Sequence, residues 1–286
     1  MSMSGGDALL MPDAVPAEEG GAEPEESSVV GRRRYLVSKA LSTYGLLALS
    51  LIVMVVLWQL IVRIFDIPDY LIPAPLAVFK TYFTGDIDWV SQSWVTLKAG
   101  LIGFVIGVAV GYLIAVILAT SPIVNKIIMP YVVAFHVLPK VAIAPVIYIM
   151  LGFSDVSRIV LIVILTFFPI VINVTTGLLD VDQNLVHLLR SLGRGPVTVF
   201  YKVRLPSSMP LFFDGLKIAV SGALIGAIVA EFVSSNAGLG FVILNSQSTL
   251  DTSIAFAAVV ILTLLGLLLY GAVILLGRLA MPWYRS

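Results

Sequence analysis

Four polar residues stand inside stretches otherwise apolar enough to cross a bilayer. His136 and Lys140 lie four apart in one stretch, Asn173 in the next, and Glu231, the only glutamate beyond residue 26, in the last but one. Charge inside a membrane is costly and turns to a water-filled or protein-lined interior, so such residues mark pathways, gates or ion sites. The spacing puts His136 and Lys140 on one helix face. Lys140 has two readings: a pathway residue that attracts an anionic or polar solute, or a residue of gating and packing. His136 reads as a satisfied interior histidine beside it. Asn173, four residues after Pro169, bonds across helices or lines a cavity. Glu231 pairs with Lys140 across the bundle, forms part of a gate, or is solvated at the outer boundary.

These residues do not compose an enzyme. There is no Gly-x-x-x-x-Gly-Lys-Ser/Thr phosphate loop, no Gly-x-Ser-x-Gly and no metal-spaced cluster. With no cysteine and two histidines, a disulfide framework, a thiolate metal site and a histidine cage are all excluded. No catalytic residue, metal or cofactor is expected on this chain.

The elements that must position the polar residues follow from composition. At 286 residues, 59% hydrophobic and 12% charged, the chain falls in the membrane class. Residues 1–30 are acidic and rich in Gly, Ala, Pro and Ser, and read as a disordered tail lacking the basic start and apolar core of a signal peptide. Residues 31–286 then hold six expected spans, at about 43–64, 97–119, 127–151, 158–179, 211–233 and 254–276. Arg32, Arg33, Arg34 and Lys39 put the N-terminus in the cytoplasm, and alternation puts Lys126, the 180–210 loop, Arg278 and Arg285 there too. Asp66, Asp69, Asp86, Asp88 and Asp251 fall outside. Beyond the tail, seventeen bases face ten acids, an excess suited to anionic lipid and, scattered among spans, not to nucleic acid.

Two further patterns shape the bundle. Small residues recur every fourth position at Gly103, Gly107, Gly111, Ala115 and Ala119, and again at Gly222, Gly226 and Ala230, which permits close helix packing in lipid. Pro130, Pro139 and Pro145 interrupt the third span, each removing a backbone donor.

The longest hydrophilic stretch after residue 31 is Asp180 to Pro210. Val181, Leu185, Leu188, Leu189 and Leu192 give a short amphipathic helix with one face to bury. Gly193 and Gly195-Pro196 break it, and Arg190, Arg194, Lys202 and Arg204 make the segment basic. Taken on residues alone, this is either a docking loop for a partner or an amphipathic loop on the membrane surface.

The frame His187-Leu188-Leu189, Gly193, Val203, Leu205-Pro206 keeps the spacing of the cytoplasmic "EAA" loop of permease subunits in binding-protein-dependent ATP-binding-cassette importers, with the opening Glu-Ala-Ala replaced. Three other segments resemble the nitrate, sulfonate and taurine branch of those permeases: Leu71-Ile-Pro73-Ala-Pro75 after the first span, Leu138 to Pro145 ending at Gly152-Phe153, and Ala230-Glu231 with Gly238-Leu239-Gly240. The resemblance covers about residues 45–280. It implies an all-α integral membrane protein with the type I importer permease fold of six transmembrane helices, multi-pass in a bacterial inner membrane. It further implies a coupling helix seated on an ATPase, a homodimer or paired permease, two ATPase subunits that hold ATP and Mg, and a periplasmic or lipid-tethered substrate-binding protein docked on the outer loops. The cargo class it implies is nitrate, bicarbonate, sulfonate, taurine, aromatic acids or pyrimidine precursors. The alternative is a self-sufficient secondary transporter or channel, which would need membrane acids for ion coupling; only Glu231 offers one.

Overall fold

In lipid every backbone donor and acceptor must be satisfied within the protein, so apolar runs of this length fold as helices. The computed structural model describes the backbone of residues 25–284 and the side chains of residues 45–283. The acidic tail, over residues 1–24, and Arg285 lie outside the described residues. The chain divides into two units, Met1–Leu57 and Trp58–Ser286. In the first, helix α1 (Glu25–Ile64) begins, and its side chains from Gly45 to Leu57 are all exposed.

The second unit carries the end of α1 and then α2 (Pro75–Thr81), α3 (Trp89–Thr120), α4 (Pro122–Val137), α5 (Lys140–Leu151), α6 (Asp155–Leu179), α7 (Gln183–Ser191), α8 (Pro196–Val199), α9 (Leu205–Ser234), α10 (Leu239–Ser248) and α11 (Thr252–Ala280). Among the described residues, five helical stretches are long and apolar enough to cross a membrane, or six when the bent pair α4 and α5 is one span.

The small-residue stripes decide how the central three helices meet. A Cβ added at Gly103 would run into Ile162, one at Gly107 into Thr166 and one at Gly111 into Ile170. Each four-residue step on α3 is matched by four on α6, so the two run parallel in one register. On α9 the order reverses: Gly215 lies against Asn173, Gly222 against Leu165 and Gly226 against Ile162, so α9 is antiparallel to α6. Between them Ile170, Val174, Leu178, Phe213, Leu216 and Val220 form the core. Pro169 has no N–H, which leaves the Leu165 carbonyl without its helical partner. Gly222 approaches that carbonyl so closely that a Cβ would lie 2.9 Å from it.

Helix α2 begins at Pro75, as its fixed φ and missing donor favour. It packs on α11, where Tyr82 donates to the Ala257 carbonyl at 2.9 Å.

The third span is broken, as its prolines led one to expect: α4 and α5 meet at 94°, because Pro139 cannot donate and holds Leu138 extended (φ −57°, ψ 139°). Two other features depart from expectation. The fifth span does not start near residue 211, since helix continues from Pro196 through a π-helical turn at Phe200–Arg204 into α9. Helix α10, between the last two long helices, was not anticipated; Leu239, Val242 and Ile243 bury at helical spacing against Ala258 and Leu262 of α11.

Candidate functional site

The Glu231 side chain is fully buried where α9 ends. Its Oε2 accepts from Thr96 Oγ1 of α3 at 3.0 Å and from the Gly240 N–H at the start of α10 at 2.7 Å, while Oε1 has no partner. Thr96 Oγ1 in turn accepts from the Leu239 N–H at 2.8 Å. A carboxylate fits here only because two residues lack side chains. A Cβ on Gly238 would collide with the carboxylate, one on Gly240 would lie 2.8 Å from the Glu231 Cβ, and Gly238 takes φ +108°. The Gly-Leu-Gly spacing is thus a cradle for the acid.

Glu231 therefore does not pair with Lys140, nor is it solvated; its hydrogen bonds tie α3, α9 and α10 together. More bonds converge on the same end of the bundle. Gln92 Oε1 accepts from the Gly238 N–H, Tyr148 donates to the Ala230 carbonyl at 3.2 Å, and Arg158 at the start of α6 donates to Ser235 Oγ. Thr96, Tyr148, Arg158 and Ser235 escaped notice in the sequence. Thr96 was legible only as one hydroxyl near the end of an apolar run.

Lys140 and His136 do come together, at the break between α4 and α5. Lys140 Nζ donates to the His136 carbonyl at 2.7 Å, lies 3.2 Å from its Nδ1, and stands 5.4 Å over the Phe168 ring. The ammonium thus occupies a carbonyl in the last turn of α4, where a cation is favoured, and a ring face attracts it. Asn173 bonds within its own helix, Nδ2 to the Pro169 carbonyl at 2.8 Å, and packs beside Gly215. Among the described residues it makes no bond across helices.

The 180–210 segment is built rather than loose. Asp182 caps α7 by accepting from the Asn184 N–H at 2.9 Å. At the other end the Gly193 N–H bonds to the Arg190 carbonyl and the Arg194 N–H to that of Leu189, with Gly193 at φ +73°: a left-handed residue closing the helix. The apolar side chains of α7 do not share one face. Val181, Val186 and Leu189 pack on Val199 and Val203, whereas Leu185, Leu188 and Leu192 remain exposed. Leu185 and Leu188 are one three-residue step and Val186 and Leu189 another, and the one-residue offset between them, a turn of about 100°, separates the two stripes. Among the basic residues, Arg190, Arg194 and Lys202 are exposed, but Arg204 Nη1 donates to the Ala119 carbonyl at 3.2 Å and so caps the end of α3. His187 and Gly193 are exposed, Val203 is buried, and Leu205 and Pro206 are half-buried at the root of α9.

The sequence matches the family described as the binding-protein-dependent transport system inner membrane component over residues 103–280. It is 33% identical over 219 residues to a probable ABC transporter permease protein of Haemophilus influenzae, covering 76% of this chain and 89% of that one. It is 31% identical to the formylaminopyrimidine transport permease protein ThiX of Halalkalibacterium halodurans, covering 83% and 95%. A chain of the MetNI methionine ABC transporter, in an inward-facing conformation, superposes with a TM-score of 0.52 at 21% identity, covering 71% of this chain and 94% of that one. At that identity the likeness is one of fold.

Proposed function

The chain belongs to the binding-protein-dependent transport inner membrane component family, and from that premise we propose that it lines half of a translocation pathway for a small polar or anionic solute. It is a permease component of an ABC transporter, with ATP hydrolysis residing in a partner subunit. Related chains carry names for formylaminopyrimidine, aliphatic sulfonate and riboflavin transport. Cargo of that polarity, handed over by an external binding protein, is the class proposed here.

The observation that carries the reading is the double stripe of α7. One apolar stripe anchors the helix on Val199 and Val203; the other, Leu185, Leu188 and Leu192, is exposed beside Arg190 and Arg194. A helix fixed on one side and apolar on the other suits a groove in an ATPase subunit. Continuous helix from Pro196 to Ser234 would carry the motion of that contact to Glu231 and the α10 end. The segment His187 to Pro206 is accordingly the proposed coupling element, with the permease paired to a second copy and two ATPases. The break at His136 and Lys140 is the proposed hinge, and Asn173 and Glu231 brace the wall. A secondary transporter is disfavoured because Glu231, its one candidate coupling acid, is engaged by Thr96 and Gly240.

The test uses the absence of native cysteine. Leu188→Cys supplies one thiol, which should form a disulfide-length cross-link to cysteines placed around the groove of the cognate ATPase, weakened or strengthened by ATP. Cross-linking only to lipid probes, whatever the nucleotide, would leave α7 as a membrane-surface helix and overturn the proposal.

A further inference from the structure

A cavity of about 420 Å³ opens between α3 and α6 at the end of the bundle that carries Glu231, lined by Trp94, Lys98 and Ile102 on one side and Asp155, Arg158 and Ile159 on the other. The parallel register of the two helices, Gly103 against Ile162, orders this lining by depth. Trp94 and Asp155 lie at the rim, Lys98 and Arg158 one turn further in, and Ile102 deeper still. Polarity is therefore graded: an aromatic and a solvated acid above, two cations in the middle, aliphatic surface below.

The charges do not cancel. Asp155 is almost fully exposed and its Oδ1 is 4.0 Å from Arg158 Nη1, while Lys98 has no hydrogen-bond or ion-pair partner among the described residues. One positive charge remains, on an exposed lysine more than two turns inside an apolar helix. Such a residue needs an anion or a reach to water, and at the depth of a membrane headgroup the anion at hand is a phospholipid phosphate. Below the cations the exposed α3 side chains Ile102, Ile106, Leu113 and Ile117 are aliphatic. A soluble anion bound at Lys98 would have no polar path onward, but an acyl chain would lie along that stripe.

We propose that the α3–α6 groove binds one anionic phospholipid, with its phosphodiester between Lys98 and Arg158, Trp94 at the headgroup level, and an acyl chain on Ile102 and Ile106. This uses no residue of the coupling segment and stands apart from the transport reading. It has a consequence for the Glu231 region: the Arg158 guanidinium that meets the phosphate also donates to Ser235 Oγ just past the end of α9, so the bound lipid braces that junction.

Native mass spectrometry of the detergent-purified full chain, titrated with phosphatidylglycerol, phosphatidylcholine or inorganic phosphate, tests this. The expected result is one retained phosphatidylglycerol, weaker retention of phosphatidylcholine, and roughly fivefold weaker phosphatidylglycerol binding in Lys98→Gln. Lys217→Gln, a membrane lysine outside the groove and already paired with Asp214, should bind as the parent does. Lys98 makes no hydrogen bond or ion pair among the described residues that the substitution would break, and a circular dichroism melt checks that the variant is folded. Equal lipid binding by Lys98→Gln and parent overturns the proposal. So does displacement of the lipid by inorganic phosphate alone, which would mark a free-anion site, or a Lys98→Gln variant that loses self-association but keeps its lipid, which would mark an interface between copies.

Discussion

Thr96 Oγ1 and Glu231 Oε2 lie 3.0 Å apart across a buried contact although 135 residues separate them in sequence. Through this pair and the Leu239 and Gly240 N–H groups, the first turns of α10 are tied to both α3 and α9. Removing the hydroxyl leaves a buried N–H and a carboxylate oxygen each short of a partner, a loss of about 1–3 kcal/mol. Thr96→Val should therefore lower the melting temperature in detergent and Thr96→Ser should restore it. A Thr96→Val melt equal to that of the parent would show that the bond contributes nothing.

Gly238 should be more sensitive still. Any side chain there meets the Glu231 carboxylate and a φ of +108° together, and backbone strain alone is worth about 1–3 kcal/mol. Gly238→Ala is expected to melt well below Gly85→Ala, which has positive φ but open space around it. Equal effects at the two glycines would reduce the cradle to a turn.

Much of this arrangement was legible in the sequence, and its gaps have physical causes. The every-fourth small residues of α3 declared a helix-packing face, and the register against Ile162, Thr166 and Ile170 follows from it. Prolines declared the disturbed third span, but only the Leu138 backbone and the missing Pro139 donor turn disturbance into a 94° bend. Periodicity found α7 without its two faces, because the apolar residues from Val181 to Leu192 fit a single stripe on paper until Val199 and Val203 choose Val186 and Leu189. Glu231 stood out as a lone acid, yet its partners are a threonine and one backbone amide, groups that carry no pattern at long range.

Gly107 and Thr166 offer a test of helix contact by compensation. A Cβ at Gly107 would overlap Thr166 Oγ1 and lie 3.0 Å from Thr166 Cβ. Overpacking of this kind costs about 1–3 kcal/mol. Gly107→Ala should lose stability, and adding Thr166→Ala should recover part of it by removing the hydroxyl. Strictly additive losses in the double variant would place the two residues out of contact.

Val186 and Leu188 sit two positions apart on α7 and should fail differently. Val186 is 2% exposed and Leu188 55%. Val186→Ala removes packing beneath the helix, about 1–2 kcal/mol, and should raise protease sensitivity around residues 183–194. Leu188→Asp should leave the isolated chain's melt unchanged while abolishing ATPase association. Unaltered association in Leu188→Asp would remove α7 from the docking surface.

At the bend, Lys140→Met keeps the length of the side chain but gives up the bond to the His136 carbonyl. If the ammonium serves the hinge, uptake should fall for every substrate accepted by the transporter, with Lys140→Arg recovering part of it. A loss confined to anionic cargo would instead make Lys140 a pathway residue.

The most direct measurement is purification of the full chain from its native membranes in mild detergent, with quantitative mass spectrometry of everything that accompanies it. An ATP-binding-cassette ATPase should be recovered in one-to-one ratio with the permease and be lost in Leu188→Asp, and vesicle uptake should require ATP. Reproducible recovery of the chain without an ATPase, together with uptake driven by an ion gradient alone, would contradict the permease role.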